Sequence, residues 1–269
     1  MSKSIQLVIT DLDGTLLNSH GEVSAANEQA LRQCLAQGIP VTIATGKTRH
    51  SALKIINKLN LPTPGVFIQG LIICAADGTV LAQQQLGMDI VEQVVPFVQE
   101  HGVDVFAYCH ERLLTLQDSA LRYKLNGRYA EPLADIVPNL ADWAEMGVCK
   151  LLVQQDAPAF SASLRQQLRD LIGERATLTQ ALTNSVEILP HGASKGAGVA
   201  QLLHYLNVDP HHVLAIGDAE NDVEMLQLVG TGVAMGNAVP RLKAVADYVV
   251  GSNDDDGVAE AIGRFALQP

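Results

Sequence analysis

Positive charge is scarce in this chain relative to negative charge. Its 269 residues carry 18 Lys and Arg against 29 Asp and Glu, a formal net charge of -11. A surface built for nucleic acid or an anionic membrane needs the opposite balance, so neither is an expected partner. Cysteine is sparse and scattered: Cys34, Cys74, Cys109 and Cys149 show no Cys-x-x-Cys spacing. A zinc site and a disulfide framework are therefore not indicated, and reduced, buried thiols are expected. No apolar run approaches the roughly 20 residues that span a bilayer. Only Met1 to Ser4 precede the first apolar stretch, too few for a signal peptide, and a cytoplasmic protein is expected. Internal repeats and low-complexity segments are also lacking.

What is present begins at Ile5 to Leu17, where a β-branched apolar run stops at two carboxylates, Asp11 and Asp13, followed by Gly14. The run predicts a strand buried on both faces and the glycine a tight turn. At strand spacing the two acids point to one side and repel unless a cation or a shared proton neutralises them. That pair asks for a metal.

A βα alternation follows. Ser24 caps a predicted helix ending near Gly38, with Ala30, Leu31, Cys34 and Leu35 as its apolar stripe. Ile39 to Ala44 reads as a second buried strand, which ends in Thr45-Gly46-Lys47. Ala52, Ile55, Ile56 and Leu59 then recur at helical spacing until Pro62 and Pro64. Such alternation predicts a Rossmann-like parallel sheet with helices on both faces and ligands beyond the carboxyl ends of its strands.

The texture then changes. Gly65 to Gln84 reads as short strands around a turn at Asp77-Gly78. A helix carrying Val91, Val94, Val95 and Val98 leads to a hairpin, Val103 to Cys109 and Leu113 to Gln117, turning at His110-Glu111-Arg112. Val148 to Gln154 reads as a strand, Phe160 to Leu171 as a helix, and Ala176 to Ala181 and Val186 to Leu189 as two more strands. This mixed order predicts an α+β module inserted into the first domain.

After Pro190 the βα alternation returns. Lys195 lies in a helix running from Ser194 to Leu206, which leads to the strand Val213 to Gly217 and then to Asp218, Asn221 and Asp222. Two further units follow, Thr231 to Ala234 with a helix near Pro240, and Asp247 to Val250 with a last helix carrying Val258, Ala261, Ile262 and Phe265. The expected domains are a discontinuous core, 1–84 and 188–269, and an inserted α+β cap, 85–187.

Asp-x-Asp-Gly-Thr after one strand, Thr-Gly-Lys after another, Lys at a helix start and Gly-Asp-x-x-x-Asn-Asp together resemble the haloacid dehalogenase superfamily, in particular its Cof-type branch with a large α/β cap. The spacing agrees: Thr15 to Thr45 is 30 positions and Thr45 to Lys195 is 150, so only the second gap houses a domain. The resemblance spans essentially the whole chain. It implies a magnesium-dependent phosphatase of small phosphorylated metabolites that works through an aspartyl-phosphate on Asp11, with Asp13 as general acid and then base. It further implies Thr45 and Gly46 as phosphate contacts and Lys195 as the neutralising cation. Magnesium is implied at Asp11, the Asp13 backbone carbonyl and Asp218, with Asn221 and Asp222 orienting metal waters or Lys195, and Asp222 either a direct or an indirect ligand. Lys47, Gln69 and Gly70 are substrate-contact candidates that depart from the branch. Many members have Arg where Lys47 stands and Asn where Gln69 stands, so bidentate geometry is lost at one and a methylene added at the other. The same pair of choices resembles the phosphatase-like domain appended to some plant plastid endoribonucleases, and no ribonuclease activity is inferred from a fused neighbour.

A phosphomutase sharing the aspartyl-phosphate and a non-catalytic phosphometabolite sensor are the other function classes, the latter disfavoured by an intact Asp11, Asp13, Lys195 and Asp218. A calcium loop at Asp11 is excluded by Leu16 at its glycine position. His211-His212 and Asp254-Asp255-Asp256 read as surface groups. Asn184, Ser185 and Glu187 either touch substrate or only pair strands. Tyr108, His110, Arg112, Tyr123, Lys124, Arg128 and Tyr129 are each expected to be structural unless they face substrate.

Overall fold

A computed structural model describes residues 5–179 and 183–267. In chain order its first elements are β1 (Leu7–Thr10), α1 (Ala25–Ala36), β2 (Val41–Ile43), α2 (Arg49–Leu59), β3 (Gly65–Phe67), β4 (Ile72–Cys74) and β5 (Val80–Gln83). Then come α3 (Met88–Glu100), β6 (Asp104–Cys109), β7 (Arg112–Thr115), α4 (Ala120–Tyr129), β8 (Asp135–Ile136), α5 (Trp143–Met146), β9 (Lys150–Gln154), α6 (Ala162–Ile172), β10 (Ala176–Thr179) and β11 (Ser185–Pro190). The chain closes with α7 (Lys195–Leu206), β12 (Val213–Gly217), α8 (Val223–Leu228), β13 (Thr231–Ala234), α9 (Pro240–Val245), β14 (Tyr248–Val249) and α10 (Gly257–Phe265). Of the expected strand Ala176 to Ala181, the end with Gln180 and Ala181 lies outside the described residues.

Two compact units result. The first takes in the chain up to Gly46, Leu53–Leu81 and the chain from Ser194 onward; the second takes in Lys47–Ala52 and Ala82–Ala193.

The first unit is organised by a parallel sheet of order β14-β13-β12-β1-β2. Continuous apolar strands such as Val213–Gly217 have every residue buried, as a sheet covered on both faces requires. Ser24 caps α1 by accepting from the Asn27 amide, and the helix buries Ala30, Leu31 and Cys34 while packing on α10. Ser194 does the same for α7 through the Ala197 amide, with Val199, Leu202 and Leu203 inward. Strand order decides where a ligand fits. From β1 the chain steps to β2 on one side, whereas β12 and its successors stack on the other. The carboxyl ends of β1 and β12 therefore diverge into separate loops at a topological switch point, where α/β folds leave a crevice.

The second unit carries a six-stranded sheet of order β10-β11-β9-β6-β7-β8, antiparallel except between β7 and β8. Strand alternation divides it into two faces. Val105, Ala107, Cys109, Leu151, Val153, Val186 and Ile188 form one, joined in a single hydrophobic core by the Val91, Val94, Val95 and Val98 stripe of α3 and by Leu164, Leu168 and Ile172 of α6. Each fully buried aliphatic side chain of that kind stabilises by about 1.5–3 kcal/mol. The β6–β7 turn is tighter than expected: Cys109 pairs with Arg112, so only His110, at φ 57, and Glu111 lie between the strands.

Candidate functional site

Three strand ends and one helix start of the first unit supply the chemistry. Contrary to expectation, strand spacing does not set the acid pair. β1 ends at Thr10, so Asp11 and Asp13 sit in the turn beyond it; Asp11 is buried and Asp13 exposed. Asp11 is still held by the sheet, its amide donating to the Ile216 carbonyl at 3.1 Å. The turn needs Gly14, whose φ is 73° and whose imagined Cβ would lie 2.3 Å from a carboxylate oxygen of Asp218. Close approach of the two loops is thus written into that glycine.

Lys195, at the first turn of α7, is 1% exposed. Its ammonium is 3.1 Å from Asp11 Oδ1 and 2.6 Å from Asp222 Oδ1. Burial alone would depress this amine, but the Asp11 and Asp222 carboxylates outweigh it and hold the proton well above the usual lysine range. Burial pushes the Asp11 carboxyl up; Lys195 opposes this, and the charges of Asp222, Asp218 and Asp13 add to it. Asp218 is pushed up to about 6 by burial and then by Asp222, against a hydrogen bond from Thr15. That bond, Thr15 Oγ1 to Asp218 Oδ1, is 2.8 Å long.

Asp222 works as a brace. While its Oδ1 accepts from Lys195, its Oδ2 accepts from the backbone amides of Asp218 and Ala219 at 3.0 Å each. Asn221 and Gln69 meet: Asn221 Nδ2 donates to Gln69 Oε1 at 2.9 Å, and Gln69 N donates to the Thr45 carbonyl at 3.1 Å. Gln69 has φ 59 and is buried, and a Cβ on Gly46 would lie 2.6 Å from its Nε2, so the amide lies directly over that glycine. Gly70 is equally constrained, with φ 93 and a Cβ position 2.1 Å from the Ser194 carbonyl oxygen just before Lys195. Thr45 is buried, its amide donating to Val66 O at 2.9 Å. The structure therefore brings Asp11, Lys195, Asp218 and Asp222 into one cluster and Thr45, Gly46, Gln69 and Asn221 into a second, linked set. Lys47 belongs to the segment that groups with the second unit.

Asp11, Asp218 and Asp222 each offer a carboxylate oxygen within 4.8 Å of the others. Such hard oxygen donors suit a hard divalent cation, and their mutual repulsion is what a cation would relieve. All four cysteines are buried, and burial pushes Cys109 up to about 12, so no reactive thiolate is at hand.

The sequence matches the family of haloacid dehalogenase-like hydrolases over residues 8–262. The chain belongs to that family. Among its relatives, the chloroplastic endoribonuclease YBEY of Arabidopsis thaliana is 39% identical over 97% of this chain, which spans 46% of that protein's length. The 5-amino-6-(5-phospho-D-ribitylamino)uracil phosphatase YcsE of Bacillus subtilis is 27% identical over 98% of this chain and 96% of its own. The crystal structure of a haloacid dehalogenase-like hydrolase from Bacteroides thetaiotaomicron superposes with a TM-score of 0.86 at 26% identity, covering 97% of this chain and 99% of that one. The fold class follows: a parallel-sheet α/β core with an inserted α+β unit.

The second unit buries two polar groups with no local sequence motif, Glu131 and Lys150. Glu131 is 3% exposed, and one of its oxygens accepts from Thr48 Oγ1 at 2.8 Å and Ser51 Oγ at 2.5 Å. It is placed by the left-handed Ala130 that ends α4. Lys150, in β9, pairs with Glu187 of β11 at 2.5 Å. A charge inside an apolar strand, as in Val148 to Gln154, was the signal available. Of the earlier candidates, Arg112 pairs with Asp135, and Tyr123 bonds Asp118 and Arg122.

Glu131 yields a pH prediction. Burial raises its carboxyl above the ordinary 4.5, against hydroxyl donation from Ser51 and Thr48 and the charges of Lys150 and Lys47. The folded chain thus binds this proton more tightly than the unfolded one. The stability this contributes is full below 4.5 and is lost as pH rises through the raised value. Glu131→Gln keeps a carbonyl for both hydroxyls and removes the loss. Thermal unfolding across pH is expected to show the variant gaining on the parent as pH rises above 4.5. Parallel curves would contradict it.

Proposed function

We propose that the chain is a magnesium-dependent phosphatase that hydrolyses a small phosphorylated metabolite through an aspartyl-phosphate on Asp11. The observation that carries this is Lys195, a buried cation held between Asp11 and Asp222 beside the Thr15-fixed Asp218. The names of relatives support it, among them YcsE and an HMP-PP phosphatase of Yersinia pestis.

In this reading Asp11 attacks phosphorus, with its lone pair aimed by the hold of Lys195. The Asp13 carboxyl, solvent-exposed, gives its proton to the departing alkoxide oxygen and later takes one from water, which then cleaves the acyl phosphate. The Thr45 hydroxyl and the Gly46 amide bind the nonbridging phosphate oxygens, and Lys47, next in sequence, adds charge. Gln69, Gly70 and Asn221 keep that loop in shape beneath the phosphate. Because phosphoryl transfer asks chiefly for positioning and neutralised charge, this inventory suffices. Magnesium would be held by Asp11, Asp218 and the Asp13 carbonyl, and would supply the positive charge that lets one anion approach another. Asp222, with both oxygens already engaged, serves Lys195 and the loop. Residues 85–187 act as the cap that selects the leaving group.

A panel of phosphometabolites assayed with magnesium for phosphate release, with Asp11→Asn as blank, tests the activity. Metal binding has its own readout. Magnesium at about 100 times its dissociation constant is expected to stabilise the protein by about 2.7 kcal/mol in thermal unfolding, and Asp218→Asn to remove most of that gain. An unchanged Tm with millimolar magnesium would remove the metal from the proposal.

A further inference from the structure

We propose that Asn237 and Asn253, in the loops that follow β13 and β14, are positioning residues that hold the Asp13 turn where its carboxyl can protonate the leaving oxygen. This deepens the phosphatase reading above and rests on it.

Asp13 differs from its acidic neighbours in how it is placed. It is exposed, whereas Asp11 and Asp222 are buried. A general acid has to be held within about 0.5 Å of its working position, and a side chain that no core surrounds takes that precision from its backbone. Within the turn, the Leu12 carbonyl accepts from the Thr15 amide at 3.3 Å and the Leu17 amide at 2.8 Å. Both bonds converge on one oxygen, on one side of Asp13.

The other side is held from outside the turn. Asn237 Nδ2 donates at 2.7 Å to the carbonyl of Gly14, the residue next to Asp13. Asn253 Nδ2 donates at 2.9 Å to the carbonyl of Leu17, which itself pairs with Asp13 in an isolated bridge. The two asparagines are joined, because Asn237 Oδ1 accepts from the Asn253 amide at 3.0 Å. Asp254 Oδ1 adds a third hold by accepting from the Ser19 amide at 2.8 Å. Ordinary caps of Asn and Asp bond their own segment. These amides instead reach 223 and 236 positions along the chain to a single turn.

The bracing loops are locked in their turn. The Gly236 amide donates to the Gly251 carbonyl at 2.9 Å, and a Cβ on Gly236 would lie 2.9 Å from the Ser252 nitrogen. The amides of Met235 and Val239 bond the carbonyls of Gly217 and Asp218 at 3.0 and 2.9 Å. β13 and β14 supply none of the carboxylates of the Asp11, Asp218 and Asp222 cluster. Their loops serve the site by fixing the backbone on either side of Asp218 and beyond Asp13.

Asn237→Ala and Asn253→Ala test this through the leaving group. When Asp11 takes the phosphoryl group, the bond from phosphorus to the leaving oxygen breaks, and that oxygen takes the proton of Asp13. An alkoxide needs this proton, whereas para-nitrophenolate departs without it. Each substitution is expected to lower kcat/KM for the best alkyl monophosphate by roughly ten- to hundredfold, and for para-nitrophenyl phosphate by about twofold at most. Hydrogen exchange on the intact protein is expected to show the Thr15 and Leu17 amides exchanging roughly tenfold faster in each variant, with α1 unchanged. Equal losses on both esters, or unchanged rates on both, overturn the positioning role, as does unchanged exchange. If the parent cleaves neither ester, the hydrolytic reading fails by itself and exchange decides the brace: acceleration in both variants supports it, and unchanged protection overturns it.

Discussion

Asp11→Asn is expected to abolish phosphate release, by on the order of 10⁴-fold or more, and to leave the fold in place. The loss follows from chemistry: an amide does not attack phosphorus, and groups that act as a unit fail together when the nucleophile goes. The preserved fold follows from the geometry. The Asp11 backbone amide keeps its bond to Ile216, and Lys195 keeps its 2.6 Å partner in Asp222. One negative charge also leaves a crowd that raises the Asp11 and Asp218 carboxyls. Phosphate release above background in this variant, measured on a preparation with unaltered circular dichroism, would end the proposed mechanism.

The largest effect on stability is expected at Lys195. Lys195→Met removes the buried cation and strands Asp11 and Asp222 as unneutralised neighbours, with Asp218 beside them. Breaking a buried pair in this way costs about 3–5 kcal/mol, since an uncompensated charge remains. For a chain of this size that corresponds to a fall in Tm of roughly 10 °C. Activity is expected to vanish as well. Magnesium offers a diagnostic: if the acids form its site, saturating metal recovers part of the lost Tm, and it recovers more in Lys195→Met than it adds to the parent. Equal shifts in both proteins would separate the metal from the acid cluster.

The core elements of the first unit were legible because their signals are local. A Ser cap, an apolar stripe and a β-branched run mark α1, α7 and β12, and the observed bounds fall within a few residues of those expected. The acid cluster was legible through spaced motifs, although strand geometry was the wrong reason for it: β1 stops at Thr10, three residues short of Asp13, and the turn that follows buries Asp11 and exposes Asp13. No helix or strand was legible in residues 118–147, since α4 buries only Leu121 and Leu125 and has no stripe to recognise. The pairings of Glu131 with Thr48 and Ser51 and of Lys150 with Glu187 were invisible for a different reason. Which hydroxyl, carboxylate or ammonium meets which across strands is decided by register, and periodicity carries no register between segments 37 residues apart such as Lys150 and Glu187.

The placement of β1 between β12 and β2 also governs when the site exists during synthesis. Asp11 and Thr45 emerge early, while Lys195, Asp218 and Asp222 follow only after the whole second unit has been made. Until β12 pairs with β1, the nascent chain carries an unneutralised Asp11 and an unpaired strand edge, and the long-range pairing that closes both is intrinsically slow. A ribosome-bound chain halted before Val213 should thus expose β1 to chaperones and proteases, and release of that exposure would report the moment at which the two halves of the first sheet join.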